Sequence, residues 1–411
     1  MGHAVAMASA NPDPTEMLAG VRVLDLTQYL AGPTCTRLLV ELGAEVWKVE
    51  FPPDGDPLRA IEPSVEDMSA SFVQQNRGKR SLCVDLRHDE APDLIRTLVQ
   101  NVDVVVENFT PGVLAKRGLA YADLSAINPR LIMASVSGFG QGNSYSHLNC
   151  FDFIAQAMAG VMHMTGEPDG PPYFAGIGIG DVNAGVHAFA GIGFALYQRD
   201  RTGLGTHIDV SMVGALFHMQ EYAVAAASMT KGEFVPNREG RHYGPVSPGG
   251  TFKSPQGWIV VLALDNQIGG VWAALGDPSL SDDPRFSTAA ARLVNRDALT
   301  DLIEAWMATF DEDVQVMAVL EQNRVPAGKV ISPAAAIDHP WFHETGTIRQ
   351  VRDAAGGQFS IPGFPIRYDG TKPNADLQPA TLGEHTTEIL LAAGLTGAEI
   401  GALAAQGVVK L

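Results

Sequence analysis

The sequence predicts an α/β protein built from a Rossmann-like large domain and a smaller α+β domain. Three observations carry this reading. Over the first 140 residues, short β-branched runs alternate with helical patterns, the signature of parallel βαβ units. At 411 residues the chain exceeds one typical domain, and roughly 150 residues per domain gives two or three. A stretch rich in Gly, Pro and charge over 232–250 then breaks the pattern and marks a boundary or a mobile loop.

The elements follow in order. Residues 21–26 read as the first strand, followed by a loop and a helix over about 33–42 that Gly43 stops. Strands are predicted at 45–49, 82–86, 102–106 and 131–136, with a helix over 90–100 between two of them. A long apolar helix runs from about 182 to 197, ending at Arg199, Arg201 and Gly203, and a strand follows over 206–212. Beyond it, 258–264 reads as a strand, with helices near 267–275 and 298–310. The expected organisation is a leader over 1–16 outside the fold, a large domain over 17–225, a small domain over 226–335, and a segment over 336–411 that returns to the large domain. In doubly wound sheets ligands bind at the carboxyl ends of strands, so the loops at 27–33, 108–112 and 137–142 form the expected binding rim.

Composition narrows the function classes. With 46% hydrophobic and 18% charged residues the chain fits a globular enzyme. A net charge of −18 argues against a general nucleic-acid surface. No uninterrupted apolar run reaches the length of a membrane span, and residues 1–16 lack the features of a signal peptide. Cys35, Cys83 and Cys150 are scattered and odd in number, which indicates neither a disulfide framework nor a zinc site and points to the cytoplasm.

Asp181 is the most informative residue. It closes the uncharged run FAGIGIGD over 174–181, immediately before the long helix. In the first turn, free N–H groups and the helix dipole favour the ionised form, and a carboxylate kept charged in an apolar site can attack an activated acyl group. Asp is also a preferred N-cap, and from this feature alone a structural cap is the commoner role. The chain has no P-loop, no GxGxxG after the first strand, no HExxH and no GxSxG, so the common nucleotide, redox and hydrolase signatures are missing.

What the chain does carry is an ordered series of short segments: GVRVLDL at 20–26, AGP at 31–33, LGAEV at 42–46, KVE at 48–50 and GD at 55–56. NRGKRS at 76–81, VENFTPG at 106–112, NPRLI at 128–132 and SGFG at 137–140 follow, then RTG at 201–203, DPRF at 283–286, VPAG at 325–328 and LGEHT at 382–386. In order and spacing the series resembles the class III CoA-transferases, a family that includes the α-methylacyl-CoA racemases. The resemblance implies that Asp181, at the end of the Gly180-Asp181 pair, is the nucleophile. It also implies two chains threaded through each other as an interlocked-ring homodimer.

By the same resemblance coenzyme A, present as the substrate thioester, lies along Gln28, Tyr29, Ala31, Asn76, Lys79, Asn108 and Phe109, with Phe151 and Asp152 near the thioester. Lys116, Arg117 and Lys79 are the candidate phosphate partners. Leu30 and Ile61 stand where the formyl-CoA transferases hold an oxalyl group with Gln and Trp, and their glycine loop is shortened to Gly249 and Gly250, the expected oxyanion donors. Both departures point away from oxalate toward a less polar or larger acyl group.

The expected activity is transfer of CoA from an acyl-CoA donor to a carboxylic acid acceptor without metal, through an acyl-aspartyl anhydride and an aspartyl-CoA thioester. No nucleic-acid or membrane partner is expected. A racemase is the nearest alternative, but it needs a His where Phe151 stands; His147 is out of register and His187 reads as a core residue. A catalytically silent acyl-CoA-binding protein is the third reading, opposed by the intact Gly180-Asp181 context.

Overall fold

The computed structural model describes residues 13–65, 68–352 and 356–411. The chain divides into two compact units. The first runs to Ala159 and takes in Ala175–Gln220 and Pro340–Leu411; the second comprises Gly160–Phe174 and Glu221–His339. Of the expected leader, residues 1–12 lie outside the described part. Within the expected leader, Pro14–Glu16 form a 3-10 turn capped by Asp13.

The first unit is built on a seven-stranded sheet. Its strands in chain order are β1 (Arg22–Asp25), β2 (Glu45–Glu50), β3 (Arg80–Val84), β4 (Val104–Glu107), β5 (Ile132–Ser137) and β6 (His207–Ser211). Val409–Lys410 completes the sheet. The spatial order is Val409–Lys410, β3, β2, β1, β4, β5, β6, all parallel except the terminal strand, which runs antiparallel to β3. This is the doubly wound order, and it reverses between β1 and β4. The central strands are apolar on both faces because helices cover both sides, which is why they read as continuous hydrophobic runs.

Helices α1 (Ala31–Glu41), α2 (Ala70–Asn76), α3 (Ala91–Val99) and α4 (Tyr121–Ile127) make crossovers. Helix α3 buries Ala91, Leu94, Ile95, Leu98 and Val99, the spacing of one helical face, onto a core that includes Leu24, Trp47, Leu82 and Val105. Fully burying such a side chain contributes about 1.5–3 kcal/mol. Ile389, Leu390 and Val408 from the last segment join the same core. Helix α1 stops as its sequence predicts: Gly43 sits at φ +94°, and its N–H donates to the carbonyl of Val40.

Helices α5 (Asp152–Met158), α6 (Ile179–Thr202) and α7 (Met212–His218) complete the layer that carries the site. Helix α6 packs closely on α1 at Gly185, where an added Cβ would stand 2.5 Å from the carbonyl oxygen of Ala31. At 24 residues, with a mean hydropathy of 1.2 in its most apolar window, α6 is by length and composition alone long and apolar enough to cross a membrane, although His187 interrupts its apolar run as the sequence indicates. It packs against α1 and α7, and its buried Arg199 pairs with Asp103 at 2.8 Å. The final segment adds a hairpin of β-strands, Ile348–Arg352 with Gln358–Pro362, that the sequence did not reveal.

The second unit has its own core of Phe252, Ile259, Val261, Trp272, Phe286, Ile303 and Leu320, formed by a three-stranded antiparallel sheet and helices Ile268–Leu275, Arg296–Met307 and Asp313–Gln322. Gly249 and Gly250 open its strand Gly249–Ser254, paired with Leu262 and Val261. They therefore belong to a hydrogen-bonded strand and not to the flexible loop the sequence suggested.

Candidate active site

The point where strand order reverses is a cleft of about 990 Å³ in the first unit. The chain leaving β1 supplies Gln28, Tyr29, Leu30 and Ala31, and the chain leaving β4 supplies Asn108 and Phe109. One side chain ties the two loops together: Asn108 accepts from the Gln28 N–H at 2.8 Å and donates to the Gln28 carbonyl at 2.7 Å. Tyr29 adopts φ +62°, a conformation that costs a side-chain-bearing residue energy and clusters at functional sites. Its ring meets Phe151 edge-on, 6.3 Å between centroids.

Asp181 lines this cleft at the third residue of α6. Gly178 is the N-cap, and the Asp181 carboxylate makes no hydrogen bond among the described residues, so it is not acting as a cap. The sequence reading gave Asp181 the free N–H groups of the first turn, and this is corrected by the structure. Oδ1 of Asp152 takes the N–H of Gly180 at 2.6 Å and that of Asp181 at 3.1 Å. Oδ2 of Asp152 accepts from Gln156 at 2.5 Å, and Gln156 in turn accepts from the N–H of Ala175. Burial, reinforced by the Asp152 carboxylate, pushes Asp181 up to about 7. The fold therefore leaves this group partly desolvated and its ionised form disfavoured, where the sequence suggested stabilisation by the helix terminus.

Of the other expected site residues, Ile61 and Phe151 also line the cleft. Asp152 is buried beneath it and orients the start of α6. Asn76 and Lys79 are buried as well. The Lys79 ammonium lies 3.0 Å from Asp25 and donates to Asn76 at 2.8 Å, so it neutralises an internal carboxylate and is not open to a phosphate. Burial lowers Lys79 to about 8 against the pull of Asp25. Burial alone would raise Asp25, yet Lys79 and Lys48 hold it well below the usual carboxylate range. Arg117 spends its guanidinium on the carbonyls of Arg87 and His88. Lys116 is the one exposed member of the trio, with no ion pair among the described residues. His187, read as a core residue, is exposed; Asn183 lies 2.8 Å from its Nδ1 and His218 meets its ring edge-on. His147 is exposed and does not line the cleft.

The sequence reading missed several wall residues: Gln74 and Gln75 of α2, Met212 at the start of α7, and Phe359, Ile361 and Pro362 of the late hairpin. Hydrophobic periodicity marks α2 only weakly. No local signal joins residues near 360 to a cleft built from residues near 30.

A sequence profile of CoA-transferase family III matches residues 18–386. The chain belongs to CoA-transferase family III. It is 36% identical over 400 residues to the succinyl-CoA:D-citramalate CoA-transferase of Chloroflexus aurantiacus, covering 96% of this chain and 99% of that one. It is 38% identical to a succinyl-CoA:mesaconate CoA-transferase of Haloarcula hispanica, over 92% of this chain and 96% of that one. The formyl-CoA:oxalate CoA-transferase of Streptomyces avermitilis is 32% identical over 96% of this chain and all of its own length. Among solved structures, a CAIB/BAIF family protein from Brucella suis superposes with a TM-score of 0.81 at 34% identity, covering 92% of this chain and 99% of that one. This family III CoA-transferase therefore shares its α/β fold with structures of that family and uses CoA thioesters as substrates.

Proposed function

We propose that this family III CoA-transferase moves CoA from an acyl-CoA to a free carboxylate with Asp181 as covalent nucleophile. The observation that carries the proposal is the state of Asp181: a carboxylate in the cleft, free of hydrogen bonds among the described residues and made basic by burial. Its oxygen attacks the thioester carbonyl, the C–S bond breaks, and CoA leaves as the thiolate from an acyl-aspartyl anhydride. The thiolate then attacks the Asp181 carbonyl of that anhydride, releasing the donor acid and leaving CoA as a thioester on Asp181. An acceptor carboxylate attacks this thioester and frees the thiolate, which takes the new acyl group and regenerates Asp181. Every step exchanges one activated acyl bond for another.

The walls around Asp181 bear on the acyl group. Leu30 lies against Gly178, and Ile61, Cys150 and Met212 add further apolar surface. This lining favours an acyl chain larger than oxalyl, in keeping with the succinyl donors named for two of the relatives. We also propose the interlocked homodimer. The exposed apolar side chains of α5 and α6, among them Phe153, Ile154, Met158, Phe194 and Tyr197, form a surface that a second copy would cover.

The test is mass spectrometry of the Asp181 peptide after mixing with succinyl-CoA, alone and with a dicarboxylic acceptor. The wild type should gain the mass of an acyl or CoA adduct on that peptide, and Asp181→Ala should gain none while still binding CoA. Unimpaired turnover by Asp181→Ala would remove Asp181 from the reaction.

A further inference from the structure

A second cavity of about 680 Å³ lies in the first unit, walled by the last segment of the chain, and shares no lining residue with the cleft. Thr345, Gly346, Arg349, Gly363, Arg367 and Lys372 define it. Its charge is unbalanced. Arg349 is already committed, to Glu41 at 3.3 Å and to the carbonyl of Ala375. Arg367 is exposed and makes no hydrogen bond or ion pair among the described residues. Lys372 is partly buried and gives one of its three N–H donors to Oγ1 of Thr347 at 2.9 Å. Glu344 is the one carboxylate in the lining, and it pairs with neither cation among the described residues. On a chain of net charge −18, two neighbouring cations without a counter-ion stand out.

We propose that this cavity is a binding site for a small, multiply charged oxyanion, a phosphate or a polycarboxylate, held by Arg367 and Lys372. Arg367 presents five donors in a planar fork that suits either group, and Lys372 adds a point charge. Arg367 and Lys372, both in the cavity lining, flank the turn at Tyr368–Thr371, which has Gly370 at φ +80° and paired backbone hydrogen bonds of 2.7 and 2.8 Å. Burial, and then the nearby Arg367, lowers Lys372 below the ordinary lysine value, a penalty that a bound anion would relieve. The cavity also adjoins the cleft: Ile361 and Pro362 line one, and Gly363 and Phe364 line the other. The site is independent of the nucleophile assignment.

Calorimetric titration of the full chain with inorganic phosphate, and separately with citrate, tests this at an ionic strength held constant with chloride. Saturable one-site binding is expected for at least one probe. Arg367→Gln and Lys372→Met should each weaken it at least tenfold, while Lys372→Arg retains it and saturating CoA leaves it unchanged. Binding of phosphate alone would identify a phosphoryl ligand and binding of citrate alone a polycarboxylate; both support the site. No saturable heat beyond that of chloride, affinity untouched by both charge-removing variants, or complete competition by CoA would each overturn it. So would variants that lower the oligomeric mass without changing anion affinity, since the cavity would then be a contact between subunits.

Discussion

Asp181→Asn removes a carboxylate whose ionised form the fold disfavours, and the consequence for stability can be worked through. The group's ordinary value is 3.8 and in the fold it rises to about 7. Between those values the folded chain holds a proton that the unfolded chain has released. Stability therefore falls as pH rises through this window and levels off above it. The gap corresponds to about 4 kcal/mol at pH 8 and about 1 kcal/mol at pH 4.5. Asparagine is neutral throughout, so the variant should exceed the wild type in stability by these amounts. With unfolding entropy of about 2.1 cal/mol/K per residue, 4 kcal/mol corresponds to a Tm higher by about 5 °C at pH 8. Differential scanning calorimetry of both proteins at pH 4.5 and 8 measures it. An advantage that is the same at both pH values, or missing at pH 8, would show that Asp181 is not held in a disfavoured charged state.

Two further outcomes follow from the structure and a third, at Lys116, from the family resemblance, since Lys116 does not line the cleft. The kcat/KM of the wild type should rise with pH to a plateau, with a midpoint near 7, because the nucleophile must be ionised; a flat profile from pH 5 to 9 would contradict this. Lys116→Ala should weaken CoA binding several-fold at low salt, about 1 kcal/mol, and flatten its salt dependence; calorimetry showing unchanged affinity would take Lys116 out of the site. Glu41→Leu should destabilise the chain by about 3–5 kcal/mol in urea titrations, because Arg37 at 3.2 Å, Arg349 at 3.3 Å and the fully buried Arg77 all lean on this one buried carboxylate. A loss below 1 kcal/mol would mean that these arginines find other partners.

The parallel sheet was legible because strands buried on both faces are written as unbroken apolar runs, such as VVV at 104–106, bounded by turn residues. The ends of α1 and α6 were legible through Gly43 and Gly203, both at positive φ. Asp181 could be singled out by its neighbours, but its electrostatics could not. Whether the N–H groups of the first turn serve Asp181 or Asp152 depends on where α5 packs, and that is a tertiary fact. Lys79 misled for a similar reason. In sequence, NRGKRS reads as a basic loop suited to phosphate, yet β1 places Asp25 beside it and takes the charge inward. The glycines at 249 and 250 suggested mobility because glycine is permissive, while the pairing that immobilises them comes from residues 261–262 in the next strand.

The strand Val409–Lys410 has a consequence for the order in which the molecule can be completed. It covers the outer edge of β3, and the residues just before it, with Ile389 and Leu390, fill the core beneath. A chain emerging from the ribosome at about 5–20 residues per second has β1 to β5 long before these pieces arrive. Meanwhile β3 carries a row of unpaired backbone groups, the kind of edge that recruits strands from other chains. The central unit, whose core lies within residues 252–325, can close during that interval. Nascent chains halted before about residue 385 should then carry a folded second unit and a first-unit sheet whose β3 edge is still open, and these are the species on which a chaperone would act.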